Sequence, residues 1–241
     1  PMTLFQVQMK YRDEPRPRAG LLRCREFLMK DAYSFDATGA EAERSYEAMR
    51  QAYRRIFDRL GLHYRIVNAD SGAMGGSTSA EFQVLTQNGE DAIIACQGCD
   101  YAANVEVALA RPDSPTRAEE SAARELEKVA TPGARSIEEV VAFLGGGLSA
   151  QGMIKSLLFR ADEKIVMALV RGDHELNEIK LARALGCAEV QLASEEEVRA
   201  ATGAPLGFAG PVGFSGSIWA DHHVMAMAEG VTGANEGDAH F

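Results

Sequence analysis

Near the amino end, Tyr11-Arg12-Asp13-Glu14 and Arg23-Cys24-Arg25-Glu26-Phe27 flank an arginine-rich stretch, Pro15-Arg16-Pro17-Arg18. On a strand, side chains two apart share a face, so Arg12 points with Glu14 on one arm, and Arg23 with Arg25 and Phe27 on the other. Paired arms would present guanidinium forks, one carboxylate and an aromatic plate on a single surface. An adenine nucleotide needs that set: forks for phosphate oxygens, an acceptor for the exocyclic amine, a ring to stack the base. A plain basic hairpin laced with surface salt bridges has the same residues, and the pattern by itself leaves both readings open.

Other candidates for chemistry are weaker. Cys96-Gln97-Gly98-Cys99 has the spacing of a zinc half-site, but a structural zinc takes four ligands and no second pair is near in sequence. Asp221-His222-His223 invites a metal reading, yet neighbours on a strand point to opposite faces. His174-Glu175 lacks the second histidine of a zincin, and no nucleophile elbow is present. No metal site is expected. Taken singly, Glu81 reads as a solvated strand-edge acid, Lys155 as a solvated lysine and His240 as a tail residue.

These residues must be positioned by elements that the patterning predicts. Leu4 to Glu14 and Leu21 to Lys30 alternate as two strands around a Pro/Gly loop. Thr38 with Glu41 forms a capping box for a helix whose stripe of Tyr46, Met49, Tyr53, Ile56, Phe57 and Leu60 reads as core and stops at Gly61. Leu62 to Ala69 is a strand, and a Gly/Ser-rich loop spans Ser71 to Ser79. Phe82 to Thr86 and Asp91 to Cys96 read as a hairpin turning at Asn88-Gly89. The polar stretch Ala110 to Lys128, with Pro112 and Pro115, reads as a linker. Beyond it, Ser136/Glu139 and Ser194/Glu197 cap two helices, Glu178 to Leu185 is a third, and Ile154–Arg160 with Ile165–Val170 form a hairpin.

Composition agrees with a globular protein: 241 residues, 46% apolar and 25% charged. No apolar run approaches the roughly 18 residues that span a bilayer, and no secretory signal is visible, so no membrane partner is expected. Four scattered cysteines favour a reducing, cytoplasmic compartment. The net charge of −10 argues against broad nucleic-acid coating but leaves room for a local basic patch. An opening in mid-strand at Pro1 and an abrupt stop at Phe241 suggest a piece of a longer protein.

Tyr-Arg-x-Glu, loop, Arg-x-x-x-Phe resembles motif 2 of the class II aminoacyl-tRNA synthetases. The fuller run Arg12 to Arg18 with Arg25 to Phe35 resembles bacterial-type prolyl-tRNA synthetases in particular. The resemblance continues through Gly75-Gly76-Ser77-Thr78-Ser79-Ala80-Glu81-Phe82, Asp100-Tyr101-Ala102-Ala103-Asn104 and Leu169-Val170-Arg171-Gly172-Asp173-His174-Glu175-Leu176-Asn177, in the family's order. It implies an α+β fold: a class II catalytic core fragment over 1–113, built on an antiparallel sheet with helices, then a mixed α/β editing insertion domain over 114–241, C-terminally incomplete.

For the first part, the resemblance implies ATP as a substrate accompanied by Mg2+, with Arg12 on the α-phosphate and the substrate carboxylate. Glu14 would read the adenine amine, Arg23 would hold the terminal phosphate, Phe27 would stack on the base and Glu81 would bind the ammonium of proline. Such a site works by positioning and charge cancellation, without a covalent enzyme intermediate. For the second part, it implies hydrolysis of alanine mischarged onto tRNA(Pro). A pocket sized for proline rejects a smaller side chain by only about 1–3 kcal/mol, so a second, smaller pocket is needed. Correspondence with the family assigns Lys155, Gly207, Gly210 and Pro211 (a G-x-x-x-P loop), Asp221 and His240 to that pocket, with Lys155 and His240 as catalytic candidates. His240 would shape the pocket rather than act as a base.

Motif 1, motif 3, the upstream Thr-x-Glu and an anticodon-binding domain have no match here. The chain alone is therefore expected to be inactive in aminoacylation, and the family's homodimer is expected of the full-length enzyme. Two alternatives stand beside this reading: a freestanding aminoacyl-tRNA deacylase and a non-catalytic tRNA-binding paralogue.

Overall fold

The computed structural model describes residues 1–18, 20, 22–69, 71, 76, 78–109 and 125–241. The linker and the domain boundary expected at 113/114 fall outside these residues, as does most of the Gly/Ser-rich loop. By contacts the described chain divides into two compact units, Pro1–Arg65 with Phe82–Gly89 and Ile66–Glu81 with Glu90–Phe241.

In the first unit, β1 (Met2–Tyr11) pairs antiparallel with β2 (Glu26–Phe35), from Met2 opposite Phe35 to Tyr11 opposite Glu26. The returning strand therefore begins later than its alternation suggests. Arg23 lies before it, held by an isolated bridge to Arg18. Helix α1 (Gly39–Arg59) starts where the Thr38 hydroxyl accepts from the Glu41 N–H, while the Glu41 carboxylate reaches back to the Ala37 N–H. Its aromatic stripe is not a closed core. Tyr53 and Phe57 pack with Tyr64 and Phe82 at centroid distances of 5.3–6.2 Å, but no residue of the helix is buried. A two-stranded hairpin is too narrow to enclose a helix of 21 residues.

Strands β3 (Tyr64–Asn68) and β4 (Ala80–Val84) each run across the division between the units, and with β5 (Ile93–Ala95) and β6 (Ala102–Asn104) they form a sheet of order β4-β3-β6-β5. This overturns the Asn88-Gly89 hairpin. β5 pairs antiparallel with β6, next to the parallel β3–β6 bridge at Asn68 and Ala103, so pairing with a later strand displaces the local turn signal.

The remainder of the second unit is built on alternation. After β7 (Val129–Ala130) and α2 (Ile137–Leu144), a short 3-10 turn leads into β8 (Ile154–Ala161) and β9 (Lys164–Arg171), an antiparallel hairpin. Then come α3 (Glu178–Leu185), β10 (Val190–Leu192), α4 (Glu195–Thr202), β11 (Ser217–Ala220), α5 (His222–Met225) and β12 (Ala239–His240). The central sheet has order β10-β8-β9-β11, with β11 parallel to β9.

Consecutive residues of β8 and β9 feed opposite cores, as the period of two requires. Phe159, Val166 and Ala168 pack on one face with Leu181 of α3, whereas Leu158, Met167 and Leu169 pack on the other with Val198 of α4. Capping boxes at Ser136/Glu139 and Ser194/Glu197 form as their spacing predicts. The mixed α+β class is borne out.

Candidate functional site

A cavity of about 330 Å3 opens beside β8 in the second unit. Its wall is mostly aliphatic, with Ile137, Val140, Met153 and Leu158 on it, and Lys155, Gly207 and His240 share the same lining. His240 is not a tail residue: it is 4% exposed. β12 pairs its backbone with Val129, and Phe241 exchanges backbone hydrogen bonds with Thr232. Its Nδ1 lies 2.7 Å from the hydroxyl of Thr131, itself fully buried, and its ring tilts against Phe208 at 5.7 Å. Burial holds the imidazole pKa below its ordinary value, so at neutral pH the ring is uncharged.

Lys155 is tied down. Its ammonium donates to the His174 carbonyl at 2.9 Å and to the Glu175 carboxylate at 2.8 Å. The Glu175 side chain is 90% exposed, so this cation meets solvent through a displaceable partner.

The G-x-x-x-P loop divides into two roles. Gly207 (φ 92) lines the cavity in a conformation that favours glycine, and neither its N–H nor that of Ala209 is engaged in a hydrogen bond among the described residues. Gly210 is a packing residue instead. A Cβ there would stand 1.7 Å from the Gly233 carbonyl oxygen, and its N–H is already donated to Asn235 Oδ1 at 2.8 Å. The Asn235 amide in turn donates to the carbonyls of Gly210 and Val212. Gly210 and Pro211 are thus absent from the lining, because the backbone crossing over Gly233 turns them away.

Asp221 lies elsewhere as well. It caps α5 with its carboxylate on the His223 N–H and lines a second cavity of about 260 Å3 with Glu175, Asn177 and Trp219. The chain turns into helix immediately after β11, so Asp221-His222-His223 is not the strand its sequence suggests. Asp221 and His223 approach to 3.0 Å, and the His223 ring meets His174 edge-on at 4.7 Å. Desolvation raises the Asp221 carboxyl pKa, but hydrogen bonds and charge from His223, with His174 behind, reverse this, and the net direction is down.

In the first unit, the Arg12 guanidinium sits 5.2 Å over the Phe27 ring, and the Arg12 N–H donates to the Arg25 carbonyl at 2.8 Å. Glu14 pairs with Arg23 at 3.4 Å, while Arg25 turns aside to the Glu14 carbonyl at 3.0 Å. Arg12, Glu14, Arg23 and Phe27 therefore meet around one hairpin mouth in two pairs, rather than on the shared faces expected of two continuous strands. Glu81 is exposed on β4. Among the described residues Cys96 and Cys99 form no disulfide and belong to no cluster of three metal-ligating groups, and Cys96 Sγ accepts from the Gly98 N–H at 3.3 Å.

Residues 131–241 match the model of the aminoacyl-tRNA editing domain. Over its full length, the chain is 57% identical to the proline–tRNA ligases of Geobacter metallireducens and Geobacter sulfurreducens and 54% identical to that of Nitratidesulfovibrio vulgaris. Along its whole length the chain is similar to part of a proline–tRNA ligase. It spans 41–42% of the length of these relatives. A solved protein assigned as a trans-editing enzyme for prolyl tRNA synthetase is 26% identical, with a TM-score of 0.43, over 48% of this chain and 74% of that one. Identity with proline–tRNA ligases includes the hairpin and everything before residue 131, which speaks against a freestanding deacylase.

Within the editing domain, sequence reasoning missed Thr131, Asn235 and the pairing of His174 with His223. Thr131 and Asn235 are small polar residues in irregular segments, and their partners are distant in sequence: His240 lies 109 residues after Thr131, and Gly210 lies 25 residues before Asn235.

Proposed function

We propose that the cavity beside Lys155 and His240 hydrolyses the ester of a mischarged aminoacyl-tRNA, with alanine on tRNA(Pro) as the substrate. What carries this reading is the confinement of a mostly aliphatic cavity, two cations (Arg135 and Lys155) and one buried neutral imidazole to the stretch that matches the editing domain. An aliphatic wall takes a methyl side chain; discrimination against the proline ring would have to come from the space next to the ester rather than from the volume of the whole cavity. The unengaged N–H groups of Gly207 and Ala209 are suited to polarising the ester carbonyl, a task Gly210 cannot perform while Asn235 holds its N–H. Lys155 would leave Glu175 for a phosphate or the aminoacyl end of the acceptor strand. A neutral His240 would shape the pocket and orient a water rather than carry charge.

The hairpin supports a second part of the proposal, ATP-dependent activation of proline by the whole protein. Arg12 and Arg23 would serve the phosphates, Phe27 the base and Glu14 the adenine amine, with Glu81 on the proline ammonium. Mg2+ would arrive with ATP; Glu14 is paired with Arg23, so the hairpin offers it no ligand set of its own. A cytoplasmic setting and a homodimer of the complete protein belong to the same proposal.

The test is hydrolysis of Ala-tRNA(Pro) and Pro-tRNA(Pro) by the 241-residue chain. Alanine release is expected, with Pro-tRNA(Pro) spared, and Lys155→Met should lower the alanine rate on the order of 100-fold. Equal hydrolysis of both substrates, or a full rate in the Lys155 variant, would refute the reading.

A further inference from the structure

We infer that His174, Asp221 and His223 bind one divalent first-row transition ion of the zinc, cobalt and nickel class. One ligand atom from each of the three residues lies within 4.8 Å of the others. The fold brings them together at a place suited to a ligand. β9 and β11 are parallel neighbours, so their carboxyl ends lie side by side, the edge at which such sheets open to bound groups. His174 follows the end of β9 by three residues, and Asp221 follows β11 directly, tied back by its N–H to the Leu169 carbonyl at 2.9 Å.

The donors are available. Oδ1 of Asp221 lies 3.0 Å from Nδ1 of His223, a separation that two ligands of one ion also take, and it accepts from the His223 N–H as well; among the described residues no hydrogen bond engages Oδ2. Among the described residues no hydrogen bond engages Nδ1 of His174, so an ion held by that atom, by Nδ1 of His223 and by Asp221 displaces only the side-chain contact between Asp221 and His223. Two imidazoles and one carboxylate suit a borderline cation such as zinc, whereas magnesium and calcium prefer oxygen sets.

A supporting layer is also in place. The other ring nitrogen of His174, Nε2, lies 2.9 Å from Arg171 Nη2 and 3.8 Å from Asp173 Oδ1. Arg171 grips Asp173 through both carboxylate oxygens, at 2.6 and 2.9 Å. Ligation through Nδ1 puts the ring proton on Nε2, where Asp173 becomes its acceptor and Arg171 gives way while keeping its hold on Asp173. A carboxylate behind a ligating imidazole is the usual arrangement for fixing ring and tautomer.

The experiment titrates Co2+ into the 241-residue chain carrying Cys96→Ser and Cys99→Ser, which removes a competing thiol pair. Visible d–d absorption saturating at one equivalent and displaced by Zn2+ is the expected result. His174→Gln and His223→Gln should each weaken Zn2+ binding more than about 10-fold, and Asp173→Asn about 10–100-fold, while His222→Ala, outside the cluster, should leave it unchanged. Circular dichroism on each variant separates loss of binding from loss of fold. The absence of a saturable band, or affinity unaltered in a folded His174 or His223 variant, would overturn the assignment.

Discussion

Thr131 Oγ1 and His240 Nδ1 meet at 2.7 Å across 109 residues of sequence, and both side chains are buried. This one contact ties the residue that follows β7 to a residue of β12, alongside the pairing of those two strands. Thr131→Val keeps the volume and deletes the hydroxyl, leaving a buried ring nitrogen unsatisfied. The expected cost is about 1–3 kcal/mol in urea unfolding, with Thr131→Ser restoring most of it.

The depressed pKa of His240 sets a pH window. The unfolded chain binds a proton near the ordinary value of 6.5, whereas the folded chain resists it until lower pH. Between those limits the unfolded state carries more protons, so stability is complete above 6.5 and falls as pH drops below it. Thermal midpoints recorded from pH 8 to pH 5 should show this decline, and His240→Asn should flatten it. Loss caused by Asp31, Asp173, Glu139, Glu197 and Asp221 belongs to a lower window, because their carboxyl pKa values are all depressed.

Gly210→Ala places a methyl inside the Gly233 carbonyl, backbone against backbone, with no flexible side chain to yield. Destabilisation of about 3 kcal/mol or more is expected in denaturant melts. Gly98→Ala, where nothing lies within 4 Å and φ is ordinary, should be close to neutral.

Glu175→Gln removes the exposed partner of Lys155. Stability should change by less than about 1 kcal/mol, since one end of the pair is open to water. The Michaelis constant for Ala-tRNA(Pro) should fall and become more sensitive to salt, because salt then screens the contact between Lys155 and the acceptor strand without also weakening a competing carboxylate. An unchanged constant would mean that Lys155 does not meet the substrate.

In the hairpin, Phe27→Ala should weaken ATP binding by about 1–3 kcal/mol, measured with a fluorescent analogue on the full-length protein. Leu28→Ala, on a side chain 67% exposed, serves as the control for hairpin stability.

What the sequence made legible was local. The boxes at Ser136/Glu139 and Ser194/Glu197 need only a spacing of three, and the β8–β9 hairpin needs only alternation beside a polar turn. Asn88-Gly89 carried an equally good local signal and was overridden, because β5 found a better neighbour in β6. In the candidate site, Lys155, Gly207 and His240 were reached through family resemblance, and the cavity brings them together. Asp221, Gly210 and Pro211 came by the same route but lie off it, since correspondence reports position in a chain and not which way a carboxylate or an N–H is turned. The His174–His223 contact left no mark in the sequence at all: it depends on two parallel strands ending side by side.

The pairing of β7 with β12 has one more outcome. Val129 stands opposite His240 and Ala130 opposite Ala239, so each of these two-residue strands has its backbone partner in a distant part of the chain. Neither can persist as a strand by itself, so fraying of one releases the other and, with it, the wall that His240 gives the cavity.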